Sequence, residues 1–495
     1  MEDKTLSAPV YLGIDLGTQS VRVLAVTPDG QIGASATEKL GKRQPGLRHE
    51  QAPESWWKAT CLCLRAVMQQ LGPHPRIDGL AVDATSGTIA LVDALGRPLT
   101  AGLMYDDGRA QDEADEANAA GEALWLQMSY KMQASWALPK LMWLLRHTVV
   151  PAEARLAHQN DVVNARLAGR RLATDSSHAL KTGYDLIRKQ WPCAVFETLR
   201  IPLAVLPEVV SPGTRLGETG HEAAAETGLP VGTPIFSGMT DGCSAQIASG
   251  ATAVGSWNTV IGTTLVVKGV TRELLHDPRG VVYSHRSIDD LWLPGGASST
   301  GAAAVAVEFD AADLDRLNHI AVNAEPTRMV IYPLLGQGER FPFAAPEAQG
   351  FTLGQSGSAQ ISVEARYCGV LQGIAMLERL AFDSLKELGA ETGGRFSISG
   401  GAVNSEALNQ IRADVLEREL LVPAVTEGAF GMAVLVSAAK SSMPVATERM
   451  VRIARTIAPR RPFSQYAAQY GQFVDELYCR GWLPPQLHAA ARGSS

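Results

Sequence analysis

Nowhere does this chain run for about 18 residues without a polar or charged interruption, the length that a membrane-spanning helix needs. The expectation is a chain with no membrane contact. Its opening, MEDKTLSAPV, is charged and has no apolar core, so it does not read as a secretory leader. Cysteine is sparse: Cys61, Cys63, Cys193, Cys243, Cys368 and Cys479 are scattered without a CxxC pair or zinc spacing. They read as reduced thiols of a cytoplasmic protein. The histidines form no HExxH and no ligand-like cluster, which argues against a metal site built on them. Excess basic charge is absent too, since the net charge is −7, and that disfavours nucleic acid or an acidic membrane surface as partner. A small anionic ligand is still allowed, because it needs only a local pocket.

What remains is a globular composition, 46% hydrophobic and 19% charged, over 495 residues. That length predicts at least two sizeable cores. YLGIDL and SVRVLAV read as strands around a corner at Gly17–Thr18, followed by QIGASAT. The stretch PESWWKATCLCLRAVMQQL has helical spacing, with Pro53 before its first turn. IDGLAVDA and TIALVDA follow as strands, and most of residues 112–169 reads as helix. A second set repeats the device: PIFSGMTDGCSAQIASGA as strand, turn and helix, then GSWNTVIGTTLVVKGV as two strands around Gly262–Thr263. Later, RFSISGG leads into the helix SEALNQIRADVL, and TEGAFGMAVLVSAA reads as a further helix. The expected domains are 1–250 and 251–480, with a frayed polar tail at 481–495.

Asp15 interrupts the apolar run of the first strand, and a buried carboxylate is costly without a cation or donors. Beside it, Gly17 lets backbone N–H groups approach an anion and Thr18 adds a hydroxyl. Asp15 could then hold Mg²⁺, which takes few carboxylates plus substrate phosphates. A plain hairpin with a surface Asp fits the same residues. The repeat of the corner at Ile261–Thr264 favours paired phosphate-binding turns. SGGAVN, Ser399–Asn404, either lets a nucleobase or ribose lie against its glycines or is a simple strand–helix turn. In GMTDG, Asp241 is either an N-cap or a general base, the group that phosphoryl transfer to a sugar hydroxyl requires.

The ordered set GIDLGTQS, YDDGR, KLMWLLRH, GMTDG, IGTT, GERFP, SGGAVN and EGAFG resembles the FGGY carbohydrate kinases over nearly the whole chain. The resemblance implies an α/β fold of two actin-like, RNase H-like domains of the sugar kinase, Hsp70 and actin superfamily, with ATP and sugar in the cleft between them. By that match Asp15 serves Mg²⁺ and the reaction centre, Gly17 and Thr18 the transferred phosphate, and Asp241 is the catalytic base. Gly262 and Thr263 contact ATP phosphates, and Gly400, Gly401 and Asn404 the adenosine. Asp107 and Arg109 are the acidic–basic pair near the sugar. Lys140 and Trp143 fit the family signature, whereas Ala137 stands where Pro, Ser or Thr is usual, a departure expected to affect packing.

RHEQAPESWW and YDDGR look like D-xylulose kinases, but Thr85–Ser86 replaces the Met-His pair of those enzymes. DATSGT, YSH, GGASS and GERFPF look more like D-ribulose kinases, with Ser86 hydrogen-bonding the sugar. A D-ribulose kinase is therefore the expected activity, with D-xylulose or a polyol such as glycerol or erythritol as alternatives. A nucleotide-driven actin-like switch is the competing class, and a homodimer is a fold-level expectation. Trp56–Trp57 and His285 are expected in packing roles, Arg452–Arg461 as a solvated face, and Cys243 as small core material.

Overall fold

The computed structural model describes residues 9–41, 46–354 and 361–493. The opening eight residues read above as no leader, and the final two of the tail, lie outside them. The chain divides into two compact units. One comprises Met1–Gly250, His285–Leu291 and Val425–Arg452, the other Ala251–Ser284, Trp292–Ala424 and Ile453–Ser495. The first unit thus regains the chain twice after residue 250, which a linear division at 250 and 480 leaves out.

The first unit is built on a mixed sheet in the order Arg215–Glu218, Pro234–Phe236, Ile77–Ala84, Val10–Leu16, Ser20–Val26 and Ile32–Lys39. Val10–Leu16 pairs antiparallel with Ser20–Val26 and parallel with Ile77–Ala84. Side chains alternate across a strand, and here both faces are covered. Leu12, Ile14 and Leu16 join Trp56, Leu64 and Val67 of the helix Pro53–Leu71 in one apolar cluster. The other face receives the helix Gly428–Ala439. A Cβ on Gly13 would sit 1.6 Å from the Ala429 carbonyl oxygen, so only glycine admits that helix. Asp15, two residues on, shares the face of Gly13. That close approach brings Val425–Arg452 into this unit.

Ile89–Val92 does not continue this sheet. It joins Glu50–Gln51, Gly102–Leu103 and Arg155–His158 in a separate one. Trp56 and Trp57 are buried, with their indoles donating to Gln51 and Glu226 at 2.7 Å each.

In the second unit Trp257–Ile261 pairs antiparallel with Leu265–Gly269 and parallel with Phe396–Ser399, the same device again. Leu420–Pro423 and Ile453–Ile457 extend the sheet. Ile453–Ile457, within the basic run, is an exposed strand paired antiparallel with Leu420–Pro423. The helix Val363–Glu387 is buried along most of its length. There Arg412 and Glu378 form a fully buried two-pronged pair at 2.6 and 2.8 Å. The expected frayed tail is corrected: Pro485–Gly493 is a helix, and its Leu487 and Ala491, one turn apart, are buried. Among the described residues no helix is long and apolar enough to cross a membrane.

Candidate active site

Three carboxylates mark the carboxyl-terminal ends of neighbouring strands. Asp15 and Asp83 stand opposite each other in parallel register. Thr240 bridges Ala84, and Asp241 follows as the first residue of the helix Asp241–Ala248. Thr240 holds the cap position there, so the N-cap account of Asp241 does not apply. Asp241 is exposed, and its Oδ1 accepts from the Gly242 N–H at 2.7 Å.

Asp83 was missed by the sequence reading, although the end of IDGLAVDA repeats the signal of YLGIDL, an acid closing an apolar strand. It is completely buried, and among the described residues neither of its oxygens has a hydrogen-bond partner. Burial, then repulsion from Asp15 and Asp241, pushes its carboxyl well above the usual range. Asp15 rises to about 6 through burial and Asp241, against the opposing pull of the adjacent Asp83 carboxyl and the charge of Arg22. Both shifts have one cause, like charges set close together in a dry place, which disfavours ionising both acids at once. Arg22 is paired with Glu427 at 3.3 Å. A Cβ on the adjacent Gly428 would lie 2.8 Å from both Asp83 Oδ2 and Ser244 Oγ, so glycine there keeps room for the Asp83 carboxylate.

This donor set can be tested against Mg²⁺. Among the described residues no group of three or more His, Cys, Asp or Glu side chains is arranged to hold a metal ion. The described residues thus offer no closed protein cage, but Mg²⁺ usually takes one or two carboxylates and completes its shell with water and phosphate. Hard oxygen donors at neighbouring strand ends, the part-exposed Asp15 and the exposed Asp241, fit a cation that arrives with its own ligands.

The hairpin turn beside Asp15 is closed by Gly17 N–H to Ser20 O at 3.0 Å, and the Thr18 carbonyl accepts from Gln51 at 2.8 Å. After Ala84, Thr85 and Ser86 diverge in role. Thr85 is buried and its hydroxyl is committed to Gln159 at 2.7 Å and Thr88 at 2.5 Å. Ser86 Oγ is buried with no hydrogen-bond partner among the described residues.

Asp107 is fully buried, gripped by the Arg109 guanidinium at 2.8 and 2.7 Å and by the His49 N–H at 2.7 Å. Burial alone would raise its carboxyl, but these bonds outweigh it and hold it below the usual range. Arg109 also pairs with Glu50 at 2.7 Å and lies over the Trp143 ring. Lys140, fully buried, donates to the Met104 carbonyl at 2.6 Å, and burial lowers it to about 7 against the pull of Asp107. The family-signature lysine and tryptophan thus brace the segment that carries Asp107 and Arg109. Ala137 opens its helix without a side-chain cap at Trp136. His285 is buried, 3.2 Å from Ser177 Oγ, and Cys243 is buried as well.

The remaining candidates belong to the second unit. Gly262 and Thr263 form the turn between its paired strands, and the Gly262 carbonyl accepts from Ala302 at 2.9 Å. Glu339, in the GERFP motif, pins the neighbouring loop by accepting from Ser298 at 2.9 Å, Thr300 at 3.0 Å and Tyr332 at 2.8 Å. Gly400 needs glycine twice over: its φ is 86°, and a Cβ would lie 2.6 Å from Ile261 O. Among the described residues no atom beyond their chain neighbours lies within 4 Å of a Cβ on Gly262 or Gly401. Asn404 is exposed and ends the short helix Gly401–Asn404.

The N-terminal domain of the FGGY family of carbohydrate kinases matches residues 10–248, and its C-terminal domain matches residues 257–439. A xylulose kinase of Escherichia coli is 26% identical over 428 residues, 83% of this chain and 86% of that protein. An apulose kinase of Pectobacterium atrosepticum is 24% identical, over 83% of this chain and 86% of its own. The crystal structure of xylulose kinase from Rhodospirillum rubrum superposes with a TM-score of 0.85 at 26% identity, covering 96% of this chain and 99% of that one. The fold is thus the two-domain actin-like α/β fold of the sugar kinases, and the competing reading as a nucleotide-driven switch falls away. This chain belongs to the FGGY family of carbohydrate kinases and is a sugar phosphotransferase.

Proposed function

We propose that the chain phosphorylates a ketopentose with ATP and Mg²⁺, D-ribulose being slightly favoured over D-xylulose. The observation that carries the chemistry is the carboxylate set Asp15, Asp83 and Asp241. Asp241, exposed at the start of its helix, is the general base that takes the proton of the sugar hydroxyl as the O–P bond forms. Asp15 is the group that would hold Mg²⁺, whose bound charge would offset that of the phosphates. Gly17–Thr18 in the first unit, and Gly262–Thr263 in the second, serve the phosphates through backbone N–H groups. No described residue crowds Gly262 or Gly401, so close approach of a ligand is a sufficient reason for glycine at both. Gly400, Gly401 and Asn404 are assigned to the adenosine.

The sugar preference rests on Ser86, whose buried hydroxyl is left over once Thr85 is bound to Gln159 and Thr88. A buried hydroxyl without a partner is costly, and turning Ser86 about its Cα–Cβ bond would let a sugar hydroxyl satisfy it. Asp107 is committed to Arg109 and His49, so the Asp107–Arg109 pair acts on the sugar by holding its wall in place. A cytoplasmic setting and a homodimer belong to the same reading. Relatives named for xylulose support D-xylulose as the second substrate reading. The deciding experiment is ADP release with ATP and Mg²⁺ across D-ribulose, D-xylulose, L-ribulose, L-xylulose, glycerol and erythritol. The highest kcat/KM is expected on D-ribulose; a clear preference for D-xylulose would overturn the weight given to Ser86.

A further inference from the structure

Just before Asp241, the sheet of the first unit loses its regular ladder. Pro234–Phe236 pairs with Ile77–Ala84 at Ile235 and Phe236, and the next pairing is the isolated bridge of Thr240 to Ala84. These two chain ends lead directly into the exposed Asp241 and, two residues after Ala84, into Ser86. Backbone pairing therefore runs thin where two side chains have to be held at one spacing. One short segment grips both ends. Asp175 caps the helix Ser176–Ala179 by accepting from the His178 N–H at 2.9 Å. On that helix, Ser177 Oγ accepts from the Thr240 N–H at 3.2 Å and lies 3.1 Å from Thr240 Oγ1. The next side chain, His178, sets its Nε2 3.3 Å from the Ala84 carbonyl oxygen. Further along the segment, Lys181 donates to the Ser86 carbonyl at 3.2 Å.

The partners of His178 also fix its charge. Its Nδ1 lies 2.7 Å from Asp175 Oδ2, which accepts from Asn160 at 3.0 Å as well. A backbone carbonyl can only accept, so Nε2 carries a proton. An Asp175 that already accepts from Asn160 and the His178 N–H is ionised, so Nδ1 carries one too. The buried ring is an imidazolium. Burial alone would lower its proton affinity, but the charge and hydrogen bond of Asp175 outweigh burial and raise it. A buried ion pair is often no more stabilising than apolar residues of the same size. Stability is therefore a poor reason to place one against the end of a catalytic strand.

We propose, on the reading of Ser86 as sugar contact and Asp241 as base, that Ser177 and His178 are positioning residues for the phosphoryl transfer. They act through the backbone of Thr240 and Ala84, and so set the distance from the Ala84–Ser86 turn to Asp241. The sugar hydroxyl then meets its base in register. A misplacement of about 1 Å between reacting groups can cost about a hundredfold in rate, which is the loss this brace prevents.

The test compares two substitutions of one residue. His178→Leu and His178→Gln both break the ion pair with Asp175, but only Gln keeps an N–H at the reach of Nε2 for the Ala84 carbonyl. Initial rates with ATP, Mg²⁺ and the sugar that the wild type turns over fastest give kcat and KM, alongside melting curves. His178→Leu should lose about tenfold to a hundredfold in kcat with an unchanged KM for ATP. His178→Gln should recover most of that loss at a similar melting temperature. A purely structural histidine would make kcat follow the melting curve, so equal losses in the two variants overturn the role of His178. Should both melt early, Ser177→Ala decides, because it leaves the ion pair intact. A kcat lowered at least about tenfold with an unchanged KM for ATP supports the brace, and a wild-type kcat overturns it. Asp241→Asn separates this proposal from the reading beneath it. If that variant is inactive while the two His178 variants match each other, the brace fails and the base stands. Normal turnover by Asp241→Asn overturns the base and, with it, the brace built toward it.

Discussion

Replacing Asp15 by Asn should stabilise the protein while impairing it as an enzyme. Burial and Asp241 raise the Asp15 carboxyl from 3.8 to about 6. Its folded value thus lies above its unfolded one, so between about pH 4 and pH 6 the unfolded chain binds fewer protons. The wild type loses stability as pH climbs through that window, and the loss is complete above it. At about 1.4 kcal/mol for each pH unit, the total is about 3 kcal/mol at pH 8, shrinking to about 0.5 kcal/mol near pH 4. Asn has nearly the same shape and no charge to desolvate, and its amide can donate to Asp83. Removing the Asp15 charge also relieves Asp83, which acts in the same direction. Chemical unfolding of wild type and Asp15→Asn, in EDTA and without nucleotide, reads the difference at both pH values. A variant no more stable at pH 8, or a gain of equal size near pH 4, would refute this account of the carboxylate pair. The same variant should lose most of its turnover with saturating sugar and ATP.

Asp241→Asn should fold and bind ATP as the wild type does, yet lose about a hundredfold to ten-thousandfold in kcat; equal turnover would remove it as the base. Ser86→Ala should raise the KM for the preferred ketopentose about tenfold with little change in melting temperature, as expected for loss of one hydrogen bond to the substrate. Gly262→Ala meets no protein atom, so its melting curve should match the wild type while its KM for ATP rises; a lowered melting temperature would assign that glycine to the fold instead. Arg412→Met leaves Glu378 buried without its cation, and should cost about 3–5 kcal/mol in unfolding experiments.

The strands were legible because their signals are local. YLGIDL, SVRVLAV and the two Gly-Thr corners carry apolar runs and turn residues that dictate a hairpin wherever the chain places them. Asp15 and Asp241 stood out for the same reason, as acids against apolar strands. Asp83 carries the same local mark, but its meaning depends on the parallel register that sets it opposite Asp15, a pairing between segments far apart along the chain. The tail was misjudged because Leu487 and Ala491 look like isolated apolar residues until a surface exists to bury them.

The sequence by itself determined the kind of element at each point, the glycine corners, and the family to which the whole order of motifs belongs. Tertiary structure decided which groups meet. It set Asp83 against Asp15, brought the helix Gly428–Ala439 back over Gly13, and used up the hydroxyl of Thr85 while leaving that of Ser86 without a partner among the described residues. The physical reason is that propensity and periodicity act over a few residues, whereas charge repulsion, desolvation and hydrogen-bond satisfaction depend on neighbours that only the packed chain supplies.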